Sequence, residues 1–158
     1  MFLGLGIALL VLILDQLSKW WVQAYINNTA SHFSFGGFFN LVEAWNTGVS
    51  FSMFNNGGML GIILLSAFAI GVIIFLIYWL KNEKNRLTQV SLGFIIGGAL
   101  GNVTDRLRFG AVYDFLDFYY KNWHWPAFNL ADTFICIGAL IIIVYGVLHP
   151  ECSLKKKG

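Results

Sequence analysis

Two aspartates set among apolar residues offer the most chemistry in this sequence. Asp114 lies in Ala111-Val112-Tyr113-Asp114-Phe115, and Asp132 in Phe128-Asn129-Leu130-Ala131-Asp132. An ionisable group beside hydrocarbon costs roughly 2.5–3.5 kcal/mol on an insertion scale. A chain with only eight acidic residues has little reason to place two there unless they act. Two carboxylates brought close in a low-dielectric site cannot both ionise easily, so one keeps its proton and the pair supplies an acid and a base. Such a pair can activate a water and protonate a leaving amine. The local sequence leaves alternatives open. Asp132 directly precedes Thr133-Phe134-Ile135 and could be a helix N-cap, and Asp114 could be a solvated loop residue.

The elements that would position these groups follow from composition. The chain is 58% hydrophobic and 11% charged over 158 residues, where soluble domains carry about 25% charged residues. It reads as a membrane protein, with a length that suits one domain spanning residues 1–158. A net charge of +2 gives no case for nucleic acid as a partner. A span needs about 20 mostly apolar residues. Four segments qualify, at about 2–26, 59–80, 87–103 and 130–148, and Met59–Leu80 is the clearest because it carries no charge. The expected fold is an α-helical membrane protein with four transmembrane helices, plus a small β-rich or extended surface element from the two loops 27–58 and 104–129. The apolar N-terminus lacks a basic leader and a small-residue cleavage site, so it reads as a span and not a removable signal.

Lysines and arginines set the expected orientation. Lys81, Lys84 and Arg86 fall in one short loop, and Lys155-Lys156-Lys157 in the tail, whereas loop 27–58 has no Lys or Arg. The positive-inside rule then places both termini in the cytoplasm and both apolar loops outside. Trp20, Trp21, Trp79, Trp123 and Trp125 would mark the interfaces. Loop 27–58 holds Phe33, Phe35, Phe38, Phe39, Phe51 and Phe54, too apolar for a solvated loop and too broken by Gly36-Gly37 and Gly48 for a span. Short strands lying on the membrane surface are expected there. Val112–Tyr120 reads as a strand or a short surface helix. Cys136 and Cys152 form neither a disulfide nor a metal spacing.

Smaller constellations flank the aspartates. Asp15 and Lys19 are four apart and share a helix face. They form either an interfacial ion pair or part of a functional site, since ionisable residues in a span are usually functional. Gly93, Gly97 and Gly101 recur every four residues, a spacing that lets helices approach closely. Asp105 and Arg106 follow, as loop anchors or as a pair. Asn46-Thr47-Gly48 looks like a turn.

Taken in order, these segments resemble the bacterial lipoprotein signal peptidases, the signal peptidase II family. The resemblance runs through Asp15-Gln16-Leu17-Ser18-Lys19, Asn46-Thr47-Gly48-Val49-Ser50-Phe51-Ser52, Gly97-Gly98-Ala99-Leu100-Gly101-Asn102-Val103-Thr104-Asp105-Arg106, Val112-Tyr113-Asp114-Phe115 and Phe128-Asn129-Leu130-Ala131-Asp132. It implies an aspartyl endopeptidase of the bacterial inner membrane, acting at its outer, periplasmic face without metal or cofactor. Asp114 and Asp132 match the catalytic pair. Asp15, Lys19, Asn46, Gly48, Asn102, Asp105, Arg106, Asn129 and Ala131 match the family's recurrent supporting set. The implied substrate is a diacylglyceryl-modified prolipoprotein, cut just before its lipidated cysteine, and the implied inhibitor is globomycin. A monomer suffices. The chain departs from the usual pattern at Tyr113, often a small or branched aliphatic residue, and at Val49-Ser50. A proton-coupled transporter would instead need ionisable groups through the bilayer depth, and Met59–Leu80 has none.

Overall fold

The computed structural model describes residues 1–29, 33–48 and 58–149. Phe51, Phe54, Val49-Ser50, Cys152 and the lysine tail lie outside the described residues. Four helices are long and apolar enough to cross a membrane. They are α1 (Phe2–Thr29), α2 (Gly58–Asn82), α3 (Arg86–Phe109) and α4 (Leu130–Leu148). Four antiparallel strands join them in the order β1 (Phe33–Phe35), β2 (Phe39–Asn46), β3 (Val112–Tyr120) and β4 (Trp123–His124). The expected four spans and small sheet are both present.

α3 is the central helix. Some 56% of its span is buried, against 28%, 17% and 11% for α1, α2 and α4. The same fact explains its low mean hydropathy of 1.3 beside 3.0 for α2. A helix that faces other helices gains less from large apolar side chains than one that faces lipid. It needs small residues that let backbones approach. A Cβ at Gly97 would meet the Ala8 carbonyl oxygen of α1 at 2.5 Å, and one at Gly98 the Ala131 carbonyl oxygen of α4 at 2.5 Å. The glycine seam is therefore what packs α3 between α1 and α4, as its spacing suggested.

α3 runs six residues beyond the apolar segment, to Phe109, where Gly110 in the left-handed region caps it by donating its N–H to the Arg106 carbonyl (3.0 Å). Asp105 and Arg106 are thus on the last turns of the helix, not in a loop. The apolar segment stops at Val103 because Thr104, Asp105, Arg106 and Arg108 follow. The helix continues because those polar groups find partners on α1.

The start of α1, the end of α2, the start of α3 and the end of α4 share one end of the bundle. Asn85, the N-cap of α3, donates to Tyr145 Oη of α4 (2.8 Å) there. The sheet covers the other end. Its two central strands pair with a register shift between Leu41 and Ala44, so β2 carries one residue more than β3 across that gap. Val22 of α1 packs with Leu41, Tyr113 and Phe115, which seats the sheet on the helix.

Candidate active site

At the sheet end of the bundle, charged side chains are buried among helices in a way that only mutual pairing allows. Asp15 is 0% exposed, Asp105 1% and Asp114 2%, and Lys19 is also buried. Lys19 Nζ lies 2.8 Å from Asp15 Oδ2 and 2.7 Å from Asp105 Oδ2. The first contact is the helical pair expected from the four-residue spacing. The second crosses from α1 to α3, so Asp105 pairs with Lys19 and not with its neighbour Arg106. Taking ions out of water costs several kcal/mol each, which close pairing and hydrogen bonds must offset.

The remaining oxygens of these two carboxylates reach to the backbone beside Asp114 and Asp132. Asp15 Oδ1 accepts the N–H of Ala131 at 2.9 Å, one residue before Asp132. Asp105 Oδ2 accepts the N–H of Tyr113 at 3.3 Å, one residue before Asp114. A single ammonium group therefore holds both arms, one through each neighbouring carboxylate. Gln16 adds a cross-brace that the sequence did not single out. Its Nε2 donates to Asp105 Oδ1 (2.9 Å) and Asp15 Oδ2 (3.2 Å). Nothing in the spacing marks it, because it sits next to Asp15 and a helix points adjacent residues about 100° apart.

Two asparagines join the pair directly. Asn129 Nδ2 donates to Asp114 Oδ1 (2.7 Å) and to Asn102 Oδ1 (3.1 Å). Asn102 Nδ2 donates to Asp132 Oδ1 (2.7 Å), and Lys19 Nζ to Asn102 Oδ1 (3.3 Å). Asn129, not Asp132, is the N-cap of α4. It forms a capping box in which its side chain takes the Asp132 N–H (3.0 Å) and Asp132 Oδ2 takes the Asn129 N–H (3.4 Å). Capping and the hydrogen bond to Asn102 together leave Asp132 little rotational freedom. The Phe128 carbonyl accepts from both Phe115 (3.0 Å) and Leu116 (2.8 Å). This ties the residue before Asn129 to β3 beside Asp114.

Asp114 is on a strand and buried, not in a solvated loop. Its second oxygen accepts Asn46 Nδ2 at 3.0 Å from the end of β2. Asn46 Oδ1 in turn takes the Gly48 N–H (2.8 Å), which fixes the turn. Gly48 has φ 74°, and a side chain there would strike Leu65, so glycine is needed on both counts. Arg106 Nη2 approaches the same turn, within 3.9 Å of where a Gly48 Cβ would stand. Burial pushes the Asp114 carboxyl up to about 6, with the Asp132 charge adding to the rise against hydrogen bonds from Asn46 and Asn129. Ten of the eleven residues that the resemblance singled out are thus joined in one hydrogen-bonded group, and the eleventh, Arg106, lies at its edge beside the Gly48 turn with its buried Nε unpaired among the described residues. A carboxyl that keeps its proton into the near-neutral range, beside a second carboxylate, can pass protons both ways.

The comparisons with known proteins agree in kind. A family model for signal peptidase (SPase) II matches residues 7–148. The chain is 41% identical over 146 residues to the lipoprotein signal peptidase of Polynucleobacter necessarius, covering 88% of this chain and 85% of that one. It is 45% identical over 148 residues to the lipoprotein signal peptidase of Yersinia pestis (strain Pestoides F), covering 92% and 87%. A solved bacterial membrane enzyme superposes with a TM-score of 0.72 at 28% identity, over 98% of this chain and 92% of the other.

Proposed function

The chain belongs to the signal peptidase II family, and on that footing we propose that it is an aspartyl endopeptidase whose catalytic pair is Asp114 and Asp132. It is a lipoprotein signal peptidase, a protease of bacterial membranes. The observation that carries the finer reading is the clasp on the two carboxylates. Asn129 and Asn102 bond to Asp114 and Asp132, and Lys19 fixes the residue before each one through Asp15 and Asp105.

One carboxylate takes a proton from water as the water oxygen attacks the scissile carbonyl carbon. The other, protonated, donates to the carbonyl oxygen. A tetrahedral diol forms. Its collapse breaks the C–N bond and sends a proton to the leaving amine. Asp114 keeps a proton to higher pH than an ordinary carboxyl, so the pair has a proton to share. Either carboxyl can give or take that proton, so the roles belong to the pair. Asn46, Asn102 and Asn129 orient the carboxyls. Arg106, with its tip at the Gly48 turn, is placed to hold the substrate backbone. Ala131 is fully buried beneath the pair, and Gly48 shapes the turn.

The substrate is a diacylglyceryl-modified prolipoprotein, cut just before its lipidated cysteine. A lipidated signal peptide stays in the bilayer, so the site must meet it at the interface. The sheet end then faces the periplasm, both termini face the cytoplasm, and the chain works as one monomeric domain in the inner membrane. The test is purified protein in detergent with a chelator present, which is expected to cleave such a substrate at that bond and to be blocked by globomycin. Asp114→Asn and Asp132→Asn each abolish cleavage. Full cleavage by either folded variant removes that residue from the chemistry, and loss of wild-type cleavage with chelator removes the metal-free mechanism.

A further inference from the structure

Beside the Lys19–Asp105 pair, and not lined by Asn102, lies a cavity of about 90 Å³. Its polar lining comes from Gln16, Lys19, Gln23, Asp105, Arg108 and Tyr113. Exposed Trp20 and Trp45 also border it, so it opens towards the surface. Tyr113 is 3% exposed, and its hydroxyl is buried with no hydrogen-bond partner among the described residues. A buried hydroxyl left unpaired is costly, and buried polar groups without protein partners ordinarily hold ordered water.

We propose that this cavity is a hydration chamber, in which bound waters join Tyr113 Oη to Gln23 and to the Lys19–Asp105 pair.

The dimensions fit. A water takes about 30 Å³ of liquid volume, so the cavity holds roughly three. Each water needs two to four polar partners, and the lining supplies donors from Gln16, Gln23, Arg108 and Tyr113 with acceptors from Asp105 and the two glutamines. Burial, with the Glu43 carboxylate nearby, pushes the Tyr113 hydroxyl up to about 12, so it remains a donor throughout the working range. The consequence concerns the ion pair. Lys19 and Asp105 are enclosed by helices, and dehydrating both would make their pairing hard to sustain. Waters on one flank return part of their solvation without opening the side that faces Asn102 and Asp132. Tyr113 is then a positioning residue. Its backbone N–H is held by Asp105 (3.3 Å), its hydroxyl is held by the chamber, and Asp114 is the next residue. The inference rests on Asp114 belonging to the catalytic pair only for its effect on turnover, not for the waters themselves.

The sign of the stability change in Tyr113→Phe decides the matter. If waters bind the hydroxyl, removing it strands them, and Tm falls by about 2–4 °C. Turnover then drops several-fold at unchanged KM, and Gln23→Leu, which displaces the same waters, behaves alike. If the hydroxyl is dry, Tyr113→Phe removes an unpaired buried donor, and Tm stays or rises, which overturns the proposal. A second readout on wild-type protein needs no variant and no activity. Hydroxyl-radical pulse labelling marks side chains next to bound water. Tyr113 modified well above Phe115, its equally buried neighbour on β3, supports the chamber, and equal low labelling of the two refutes it.

Discussion

Two aspartates lie three residues apart on β3, and both are buried, yet their surroundings drive them in opposite directions. Burial pushes Asp114 up to about 6, and the nearby Asp132 adds to it. Burial also pushes Asp117 up, but hydrogen bonds from Asn40 and His124 and the His124 charge outweigh it and hold that carboxyl below the usual range. Asn40 Nδ2 lies 2.9 Å from Asp117 Oδ2, and His124 Nδ1 lies 2.9 Å from each oxygen. Those three side chains tie β2, β3 and β4 together and ask nothing further of the carboxylate. Asp114 receives only neutral amides on its oxygens, beside a second carboxylate. Burial alone therefore does not make a site. What distinguishes Asp114 is burial whose cost its partners leave uncompensated, the condition under which a carboxyl keeps a usable proton.

The comparison can be broken most forcefully at Lys19. Without its charge, Asp15 and Asp105 are left buried and uncompensated, and both arms of the pair lose their common anchor. Lys19→Met is expected to cost about 3–5 kcal/mol of stability and to reduce cleavage more than a hundredfold in whatever protein folds. Thermal unfolding and turnover at one substrate concentration check both. A variant as stable and active as wild type would show that the ion pair does not position the aspartates.

The pH dependence of stability sharpens it next. Asp114 is raised above its unfolded value of 3.8. Its contribution is therefore present below about pH 3.8 and is lost as pH rises through about 6. At 1.36 kcal/mol per pH unit the loss is at most about 3 kcal/mol. Asp117 is lowered, so its contribution is present above its unfolded value and is lost as pH falls through the folded one. Denaturant midpoints from pH 3 to 8 should fall between pH 4 and 7 in wild type, and Asp114→Asn should remove that slope. Asp117→Asn should leave the neutral slope untouched and flatten only the smaller decline at the acid end. Identical profiles for the two variants would erase the distinction between the two carboxylates.

Much of this arrangement was legible beforehand, and the exceptions have physical causes. Val112–Tyr120 has its two aspartates three apart and no period-2 alternation, so the sequence admits a strand or a short surface helix, and pairing with β2 makes it a strand. Nothing in Tyr113-Asp114-Phe115-Leu116-Asp117 separates the two aspartates, because their difference lies in Asn40, His124, Asn46 and Asn129, brought in from elsewhere in the chain. The apolar surroundings mark Asp114 but do not set it apart from Asp117, and the family resemblance chooses between them. Local spacing offers Asp105 only Arg106 or a loop role, because a hydropathy window stops where α3 turns polar. Its true partner, Lys19, sits on another helix, beyond the reach of local spacing. The N-cap role open to Asp132 as an alternative falls to Asn129, since a capping box places its acid three positions inside the helix. Gln16 and Asp117 carry no local signal of their roles, because the bonds that define them reach Asp105 on α3 and Asn40 on β2.

The central claim is tested most directly by purifying Asp114→Asn and Asp117→Asn side by side, confirming that each folds, and measuring cleavage of a diacylglyceryl-modified prolipoprotein. The account predicts that Asp114→Asn loses at least about 10³-fold in kcat, as expected when an acid–base group is removed, while Asp117→Asn stays within a few-fold of wild type. Comparable loss in both, or activity retained by Asp114→Asn, would contradict it.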